Sequence, residues 1–396
     1  MNLSTGVVLA AGEGTRLRPL TQTRPKPMLP VCNRPIVEYV LDALVDAGVS
    51  ELVLVVGYKR GRVQDHIGST YRGHPVTYVH QRKQLGSGHA LLQAREAVDG
   101  PFVSVNGDRV IDPQTVADVL DGFDGETATM AVREHANATA YPNGAVRLDD
   151  GRVTELVEQP DDPYRLINAG VYAFPSGWFD RLAATGRRDG DLYLPDAIVE
   201  LTAERAVLGV RTEGLWVDIT YPWDLLEATR RLLDAGLADE RTADPGVYVH
   251  ETARVHDRAT LQAPVVVGPD AEIAAGVVVG PNTALGRNVT IAANATVERS
   301  LIGADTRIGS GTTLRDCVTG TAGEFGPGVV VPGGVADVHI GTDVHENERL
   351  GAIAGDRVTL RGGACCEPGT VLGVDATVGV GAVARDRVGT GAEVVR

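Results

Sequence analysis

"VHETARVHDRATLQAPVVVGPDAEIAAGVVVGPNTALGRNVTIAANATV", residues 249–297, repeats one short theme. Val249, Val255, Leu261, Val267, Ile273, Val279, Leu285, Ile291 and Val297 are nine aliphatic residues at intervals of six. After a one-residue deletion the beat resumes at Ile302, Ile308 and Leu314, and it returns at Leu360, Cys366, Leu372 and Val378. Gly, Asn, Asp, Ala and Thr fill the gaps. A period of six suits neither a helix nor an ordinary strand. It suits a parallel β-helix, in which each hexapeptide supplies one face of a triangular coil and turns one aliphatic side chain inward. The coil is expected over 248–396, with an irregular insert where the beat is lost, at 318–353.

Working outward toward the N-terminus, "PWDLLEATRRLLDAGLADERTADPG" reads as a helix and then a linker, with the linking segment set at 231–247. Residues 1–230 have a different rhythm. "TGVVLAAG" is a buried strand that runs into a Gly-rich turn. "IVEYVLDALVDAG" is an amphipathic helix ended by Gly48, and "ELVLVVGY" and "GPFVSVNGD" are further strands. Strands alternating with helices predict right-handed crossovers and a parallel sheet covered on both faces. Ligands then bind at the carboxyl ends of the strands.

Composition limits the function classes. A chain of 396 residues is long enough for two domains, and 43% hydrophobic with 22% charged residues is a globular composition. No apolar run reaches the roughly 18 residues of a membrane span, and no basic region precedes the first apolar run as in a signal peptide. A cytoplasmic protein with no membrane partner is expected. The formal net charge of −15 argues against nucleic acid. Only three lysines (Lys26, Lys59, Lys83) stand against 34 arginines and 52 acids, a balance that fits a high-salt cytoplasm or a GC-rich genome. Cys32, Cys317, Cys365 and Cys366 form no paired C-x-x-C arrangement and read as buried or half-buried thiols.

Against that acidity, the first 37 residues carry five cationic side chains, Arg16, Arg18, Arg24, Lys26 and Arg34, and one acid, Glu13. They follow a strand and two glycines, Gly12 and Gly14, which let backbone N–H groups approach phosphate oxygens. The spacing matches neither G-x-G-x-x-G nor the P-loop, so the glycines alone leave a phosphate site and a solvated basic loop both open. Arg16, just after the loop, has the fork that holds a pyrophosphate bidentately. Lys26 is fixed between prolines in "RPKPML", and a lysine in so lysine-poor a chain points to a need for a compact ammonium.

Here "LAAGEGTRLRPLT…RPKPMLPV" resembles the signature of sugar-1-phosphate nucleotidylyltransferases, over residues 3 to about 230. The resemblance is greatest to the bifunctional GlcNAc-1-phosphate uridylyltransferase/glucosamine-1-phosphate acetyltransferase type with a C-terminal left-handed β-helix. It implies an α/β fold with a Rossmann-like nucleotidyltransferase domain followed by a left-handed parallel β-helix of hexapeptide repeats. It also implies transfer of a nucleotidyl group from a nucleoside triphosphate to a sugar 1-phosphate, glucose or GlcNAc 1-phosphate, with release of pyrophosphate. Arg16 would hold the leaving pyrophosphate and Lys26 would bridge the phosphates of sugar and nucleotide. Leu9, Ala10, Ala11, Gly12 and Gly14 would form the nucleotide loop. "HQRKQLGSGHALLQA" resembles the uracil-binding segment, so Gln81, Gly86 and Ser87 become the base readers and UTP is favoured over dTTP. His89 reads as a packing histidine. Asp108, ending a strand in "SVNGDRVID", and Asp218, in "LWVDITYPWDLL", would share Mg2+ with phosphate oxygens. Gly144, Glu158 and Asn168 match sugar-contacting positions, although Gln159 stands where many relatives have lysine.

Two readings of the coil follow. As a second enzyme it would acetylate glucosamine 1-phosphate with acetyl-CoA; however, no lysine follows Lys83 and no H-x-x-Y occurs in the coil, which leaves His339 and His345 as candidate bases. As a scaffold it would assemble a homo-oligomer, a trimer being favoured. A thymidylyltransferase and a catalytically silent regulatory subunit are the remaining alternatives. The second is disfavoured by the presence of Arg16, Lys26, Asp108 and Asp218.

Overall fold

The computed structural model describes residues 3–136, 138, 144–158, 160–238 and 242–395. Its contacts divide the chain into two compact units. The first contains residues up to Glu13, Pro25–Met28 and Ile36–Asp218; the second contains Gly14–Arg24, Leu29–Pro35 and Ile219–Arg396.

The first unit is built on a ten-stranded sheet. His74–His80, Glu51–Val56, Thr5–Ala10 and Phe102–Asn106 lie side by side and parallel. Side chains alternate between two cores. Leu52, Leu54 and Val56 face the helix Ile36–Asp46, whereas Val53 and Val55 join the core of Phe102, Leu182 and Ile198 on the opposite face. Burial of both strand faces accounts for the near-continuous apolar runs. The expected all-parallel sheet needs correction. Leu166–Phe174 runs antiparallel to Phe102–Asn106, and Ala145–Asp149 with Arg152–Val157 forms an antiparallel hairpin. For the hairpin the reason is local. Asp150 and Gly151 both have positive φ, 45° and 75°, the two-residue turn that reverses a strand directly.

The second unit is a coil of strands two or three residues long, stacked into three parallel sheets, with an antiparallel strand, Thr242–Asp244, on its first rung. It is the parallel β-helix expected from the repeats, of the left-handed type that the resemblance implies. Residues in register lie 18 apart, as in Val249, Val267 and Leu285, which is three hexapeptides per turn. The deletion shortens one turn, so Leu285 pairs with Ile302. Val267, Ile273, Val279, Leu285, Ile291 and Val297 join one continuous buried core. At the corners Asn282, Asn288 and Asn294 have φ of 54°, 56° and 60°, a left-handed conformation that asparagine tolerates.

The insert is narrower than expected. The coil continues through Val318–Thr319, Glu324–Phe325 and Val330–Val331, and only the hairpin Val335–Ile340 and Asp343–Arg349 leaves it. Thr319, Phe325 and Val331 keep the six-residue interval, but a threonine and an aromatic ring replace the first two aliphatic beats. The boundary between units also differs from 230. The helix Pro222–Asp234 belongs with the coil, where Leu225, Leu232 and Leu233 are buried and the Cys32 thiol donates to Thr229 O at 3.6 Å. Among the described residues no helix is long and apolar enough to cross a membrane.

Candidate active site

In the first unit three parallel strands of the sheet end at one cleft of about 370 Å³. Thr5–Ala10 leads into Ala11 and Gly12, Phe102–Asn106 into Asp108, and His74–His80 into Gln81. Parallel strands deliver their carboxyl ends to the same edge, so sheet topology gathers residues that are about a hundred positions apart.

One wall is the segment from Gln81 to Ser87. Gln81 is 4% exposed, and its amide donates to Gly86 O at 3.1 Å and meets His89 Nδ1 at 3.0 Å. Gly86 has φ of 91°, and a Cβ there would stand 2.3 Å from Leu192 O, so this bend admits only glycine. The segment is clipped in place by Leu192, whose N–H donates to Leu85 O, and by Leu194, whose N–H donates to Ser87 Oγ at 3.0 Å. Burial and the Arg187 charge push the His89 imidazole down, so it stays neutral between Gln81 and Gln93, in a packing role.

On the opposite wall are Asn168 and Glu158. Asn168 is buried; its Nδ2 donates to Tyr172 Oη at 2.7 Å, and its Oδ1 accepts from Gly170 N–H at 3.0 Å. Its own N–H donates to Gly144 O at 3.0 Å. The Glu158 carboxylate pairs with Arg188 at 3.1 Å. Gln159 lies outside the described residues.

The charged centre is made by a two-stranded antiparallel pair, Arg109–Ile111 with Trp216–Asp218, whose register sets Asp218 opposite Arg109. Arg109 is 1% exposed. Its Nη1 is 3.3 Å from Asp108 Oδ1 and touches Asp218 Oδ1, and its guanidinium lies 5.3 Å from the Trp216 ring centre. Lys26 Nζ is 2.7 Å from Asp108 Oδ2. Burial pushes the Asp108 carboxyl up, but the Arg109 and Lys26 charges outweigh it and hold the group well below the usual carboxylate range.

Asp108 Oδ1 is shielded from solvent, and the Arg109 guanidinium stands 3.3 Å from it. A hard oxygen atom of this kind fits Mg2+, and Asp218 supplies a second. Among the described residues no three or more His, Cys, Asp or Glu side chains cluster as a metal cage. That suits Mg2+, which commonly takes one or two carboxylates and fills its other positions with phosphate oxygens and water.

Of the residues singled out from sequence, Leu9, Ala11, Gly12, Gln81, Gly86, Ser87, Asp108, Glu158 and Asn168 line this cleft. Lys26 and Asp218 join it through Asp108 and Arg109. Ala10 is buried within the sheet, and Gly144 acts through its carbonyl on Asn168. Gly14 and Arg16 are counted with the coil unit, where the Arg16 guanidinium lies 6.0 Å from the Tyr221 ring centre. His345, one candidate acetyl-transfer base, packs on Tyr221 and Trp223 with ring centres 4.3 and 5.2 Å away. Arg109, Tyr172 and Tyr193 line the cleft and were missed. Arg109 had a signal, a lone arginine opening an apolar strand directly after Asp108.

Known proteins share this construction. Residues 5–235 match the family described as nucleotidyl transferase, and residues 243–388 match the GMPPB C-terminal domain. The chain is 37% identical over 232 residues to the bifunctional protein GlmU of Methanocaldococcus jannaschii, a match that covers 58% of this chain and 54% of that protein. It thus spans about half the length of that curated relative. It is 39% identical to the UTP–glucose-1-phosphate uridylyltransferase AglF of Haloferax volcanii over 57% of this chain and 95% of that one. The bifunctional protein GlmU of Methanococcus vannielii is 28% identical over 94% of this chain and 93% of its own length. A crystal structure of UDP-glucose pyrophosphorylase complexed with UDP-glucose shares the fold, with TM-score 0.54 and 22% identity, over 59% of this chain and 100% of that one. The first 235 residues carry the match and the cleft alike: the chain belongs to the nucleotidyl transferase family.

Proposed function

We propose that the chain transfers a nucleotidyl group, UMP in preference, from a nucleoside triphosphate to glucose 1-phosphate or GlcNAc 1-phosphate. One observation carries this reading. A lysine ammonium and a buried arginine converge on two aspartates at a cleft whose opposite walls hold the Gln81–Ser87 segment and Asn168. The sugar phosphate oxygen attacks the α-phosphorus in line, the bond from that phosphorus to the bridging oxygen breaks, and pyrophosphate leaves. No covalent nucleophile on the protein is needed, so its contribution is position and charge.

The residues divide the work. The Lys26 ammonium neutralises phosphate charge as it builds up. Gln81, held by Gly86 and His89, presents a preorganised amide to the base, and Asn168 does the same for the sugar. Arg16 would hold the departing pyrophosphate. Asp108 and Asp218 would hold Mg2+, which when bound supplies the positive charge that draws phosphate oxygens to the two carboxylates. Uracil is favoured by the resemblance of the Gln81 segment and by the activity named for the Haloferax relative. A full-length match to a bifunctional protein keeps acetyl transfer from acetyl-CoA to glucosamine 1-phosphate as a second reading of the coil. A trimer is the assembly that the coil favours.

The test is a panel that crosses UTP and dTTP with glucose 1-phosphate and GlcNAc 1-phosphate in the presence of Mg2+, read as pyrophosphate release. Turnover with UTP and at least one sugar phosphate is expected. Silence across the whole panel would favour a regulatory subunit. Release of free CoA from acetyl-CoA and glucosamine 1-phosphate would add the second activity.

A further inference from the structure

The coil unit holds a cavity of its own, of about 270 Å³, whose lining comes wholly from residues after Ile219. Three elements enclose it. Asn282, Arg299 and Asp316 stand on successive turns of the coil, each at a corner of positive φ. They stack one above another because Ala284, Leu301 and Val318 are in register. The helix Pro222–Asp234 adds Trp223 and Leu226, and the base of the hairpin adds Glu348 and Arg349.

Charge within this lining is already matched. Arg230 Nη2 meets Glu227 Oε1 at 2.7 Å, Arg299 Nε is 2.7 Å from Asp316 Oδ1, and Arg349 Nη1 is 3.6 Å from Asp316 Oδ2. Asp316 is 1% exposed, so its pair with Arg299 is built into the fold. With Glu348 counted, three guanidiniums face three carboxylates, and burial pushes the Glu348 carboxyl up, away from its charged state. An ionic ligand therefore meets no excess of opposite charge.

Two features nonetheless suit a ligand. Asn282 Oδ1 is shielded from solvent and, among the described residues, accepts no hydrogen bond, which is costly for a buried acceptor. Trp223 offers an apolar surface in the same cavity, and its indole is held by Tyr221, stacked at 4.9 Å between ring centres, and by the His345 ring at 5.2 Å. A concave, partly apolar wall with a few converging polar groups is the make-up of a small-molecule site. The complementary molecule is uncharged, donates hydrogen bonds and has an apolar face. A sugar ring has all three properties, since its hydroxyls donate and accept and its C–H face packs on an aromatic ring.

We propose that this cavity binds an uncharged sugar ring, with Asn282 Oδ1 accepting from a hydroxyl and with Trp223 and Leu226 packed on the C–H face. The inference goes beyond the transfer reaction, whose sugar carries a phosphate and whose cleft belongs to the first unit.

Acrylamide quenching of tryptophan fluorescence on the full chain tests it. Trp178 and Trp216 are 3% and 4% exposed, whereas Trp223 is half-buried, so among the three tryptophans Trp223 is the indole that acrylamide reaches. The probes are glucose and GlcNAc at tens of millimolar, with glucose 1-phosphate and spermidine as anionic and cationic counterparts. At least one neutral sugar should protect Trp223 from quenching. Asn282→Gly keeps the positive φ and removes the amide, so it should weaken that binding about fivefold, the weight of one hydrogen bond. Leu226→Phe, which fills the cavity, should abolish the protection and serves if Asn282→Gly misfolds. Both variants should release pyrophosphate at the wild-type rate, since neither residue lines the transfer cleft. Absence of protection by both neutral sugars in wild type would overturn the proposal, and so would equal protection in wild type and both variants. Tighter protection by glucose 1-phosphate or spermidine than by the neutral sugars would overturn it as well. Quenching is read without nucleotide, so failure of this site and failure of the transfer activity are distinguishable.

Discussion

Lys26 Nζ and Asp108 Oδ2 are 2.7 Å apart, an ion pair between residues 82 positions apart in the chain. Lys26 reaches it from Pro25–Met28, and Asp108 from the turn after Phe102–Asn106. A pair formed only to hold the fold would tolerate another cation. A lysine placed to meet phosphate would not, because a guanidinium is larger and spreads its charge over a plane. Lys26→Ala should therefore lower the rate of pyrophosphate release by about 10²–10³, the range for losing one preorganised donor. Lys26→Arg should recover little of it, and both variants should keep the wild-type melting temperature to within a few degrees, since Arg109 still neutralises Asp108. Activity within a few-fold of wild type would remove Lys26 from the mechanism.

Arg109 holds Asp108 and Asp218 apart from inside the protein. Replacing it with methionine leaves two carboxylates facing each other with one compensating charge lost. Breaking a buried pair costs about 3–5 kcal/mol, which in a unit of this size lowers the melting temperature by about 10 °C. If the two aspartates form a cation site, millimolar Mg2+ should restore part of that loss in Arg109→Met and do much less for wild type. Thermal melts with Mg2+ and with EDTA read this directly. Equal melting temperatures for the variant in the two buffers would count against a shared metal at Asp108 and Asp218.

Much of this was legible in sequence, for particular reasons. The coil could be read because one aliphatic position per hexapeptide must face inward, as Ile273, Ile291 and Ile308 do in register. Reading failed at Thr319 and Phe325, where non-aliphatic residues fill the same inward positions. In the sheet, the apolar runs gave away the strands, but burial on both faces carries no direction, and the turn at Asp150–Gly151 was the cue that was overlooked. Gln81, Asp108 and Asn168, which line the cleft, could be singled out because each stands in a recognisable motif. Arg109 could not be placed in the same way, because its importance comes from the antiparallel register with Asp218, a pairing that spans 109 positions.

The cysteines should sort by depth. Burial pushes the Cys317 thiol up to about 12, and Cys366 is raised by the same cause. Cys32, Cys317 and Cys366 are buried, whereas Cys365 is only half-buried. Iodoacetamide at pH 8 should therefore modify Cys365 first in the folded protein and reach the other three only on denaturation, as mass spectrometry of peptides would show. Rapid labelling of Cys317 in native protein would mean that the coil opens at that turn.

Asp356 should set the acid stability of the opening segment. Burial pushes its carboxyl up, yet the Arg24 charge and the Thr23 and Thr321 hydrogen bonds bring it below its ordinary value. A carboxyl depressed in the fold stabilises it at pH values above the unfolded value of about 3.9, and that contribution is lost as pH falls through the lower folded value. Residues 14–24 should thus stay anchored from neutral pH down to about pH 4 and loosen below it. Asp356→Asn keeps the shape and removes the charge, so it should loosen the segment at pH 7, exposing it to cleavage after Arg16, the one arginine of the segment that proline does not follow, in limited trypsin digestion. The coil itself should stay intact in that variant, since its core residues are untouched. If wild type and Asp356→Asn are cut there at the same rate at pH 7, the aspartate does not hold the segment and the strap must reside in Gln22 and Thr390 instead.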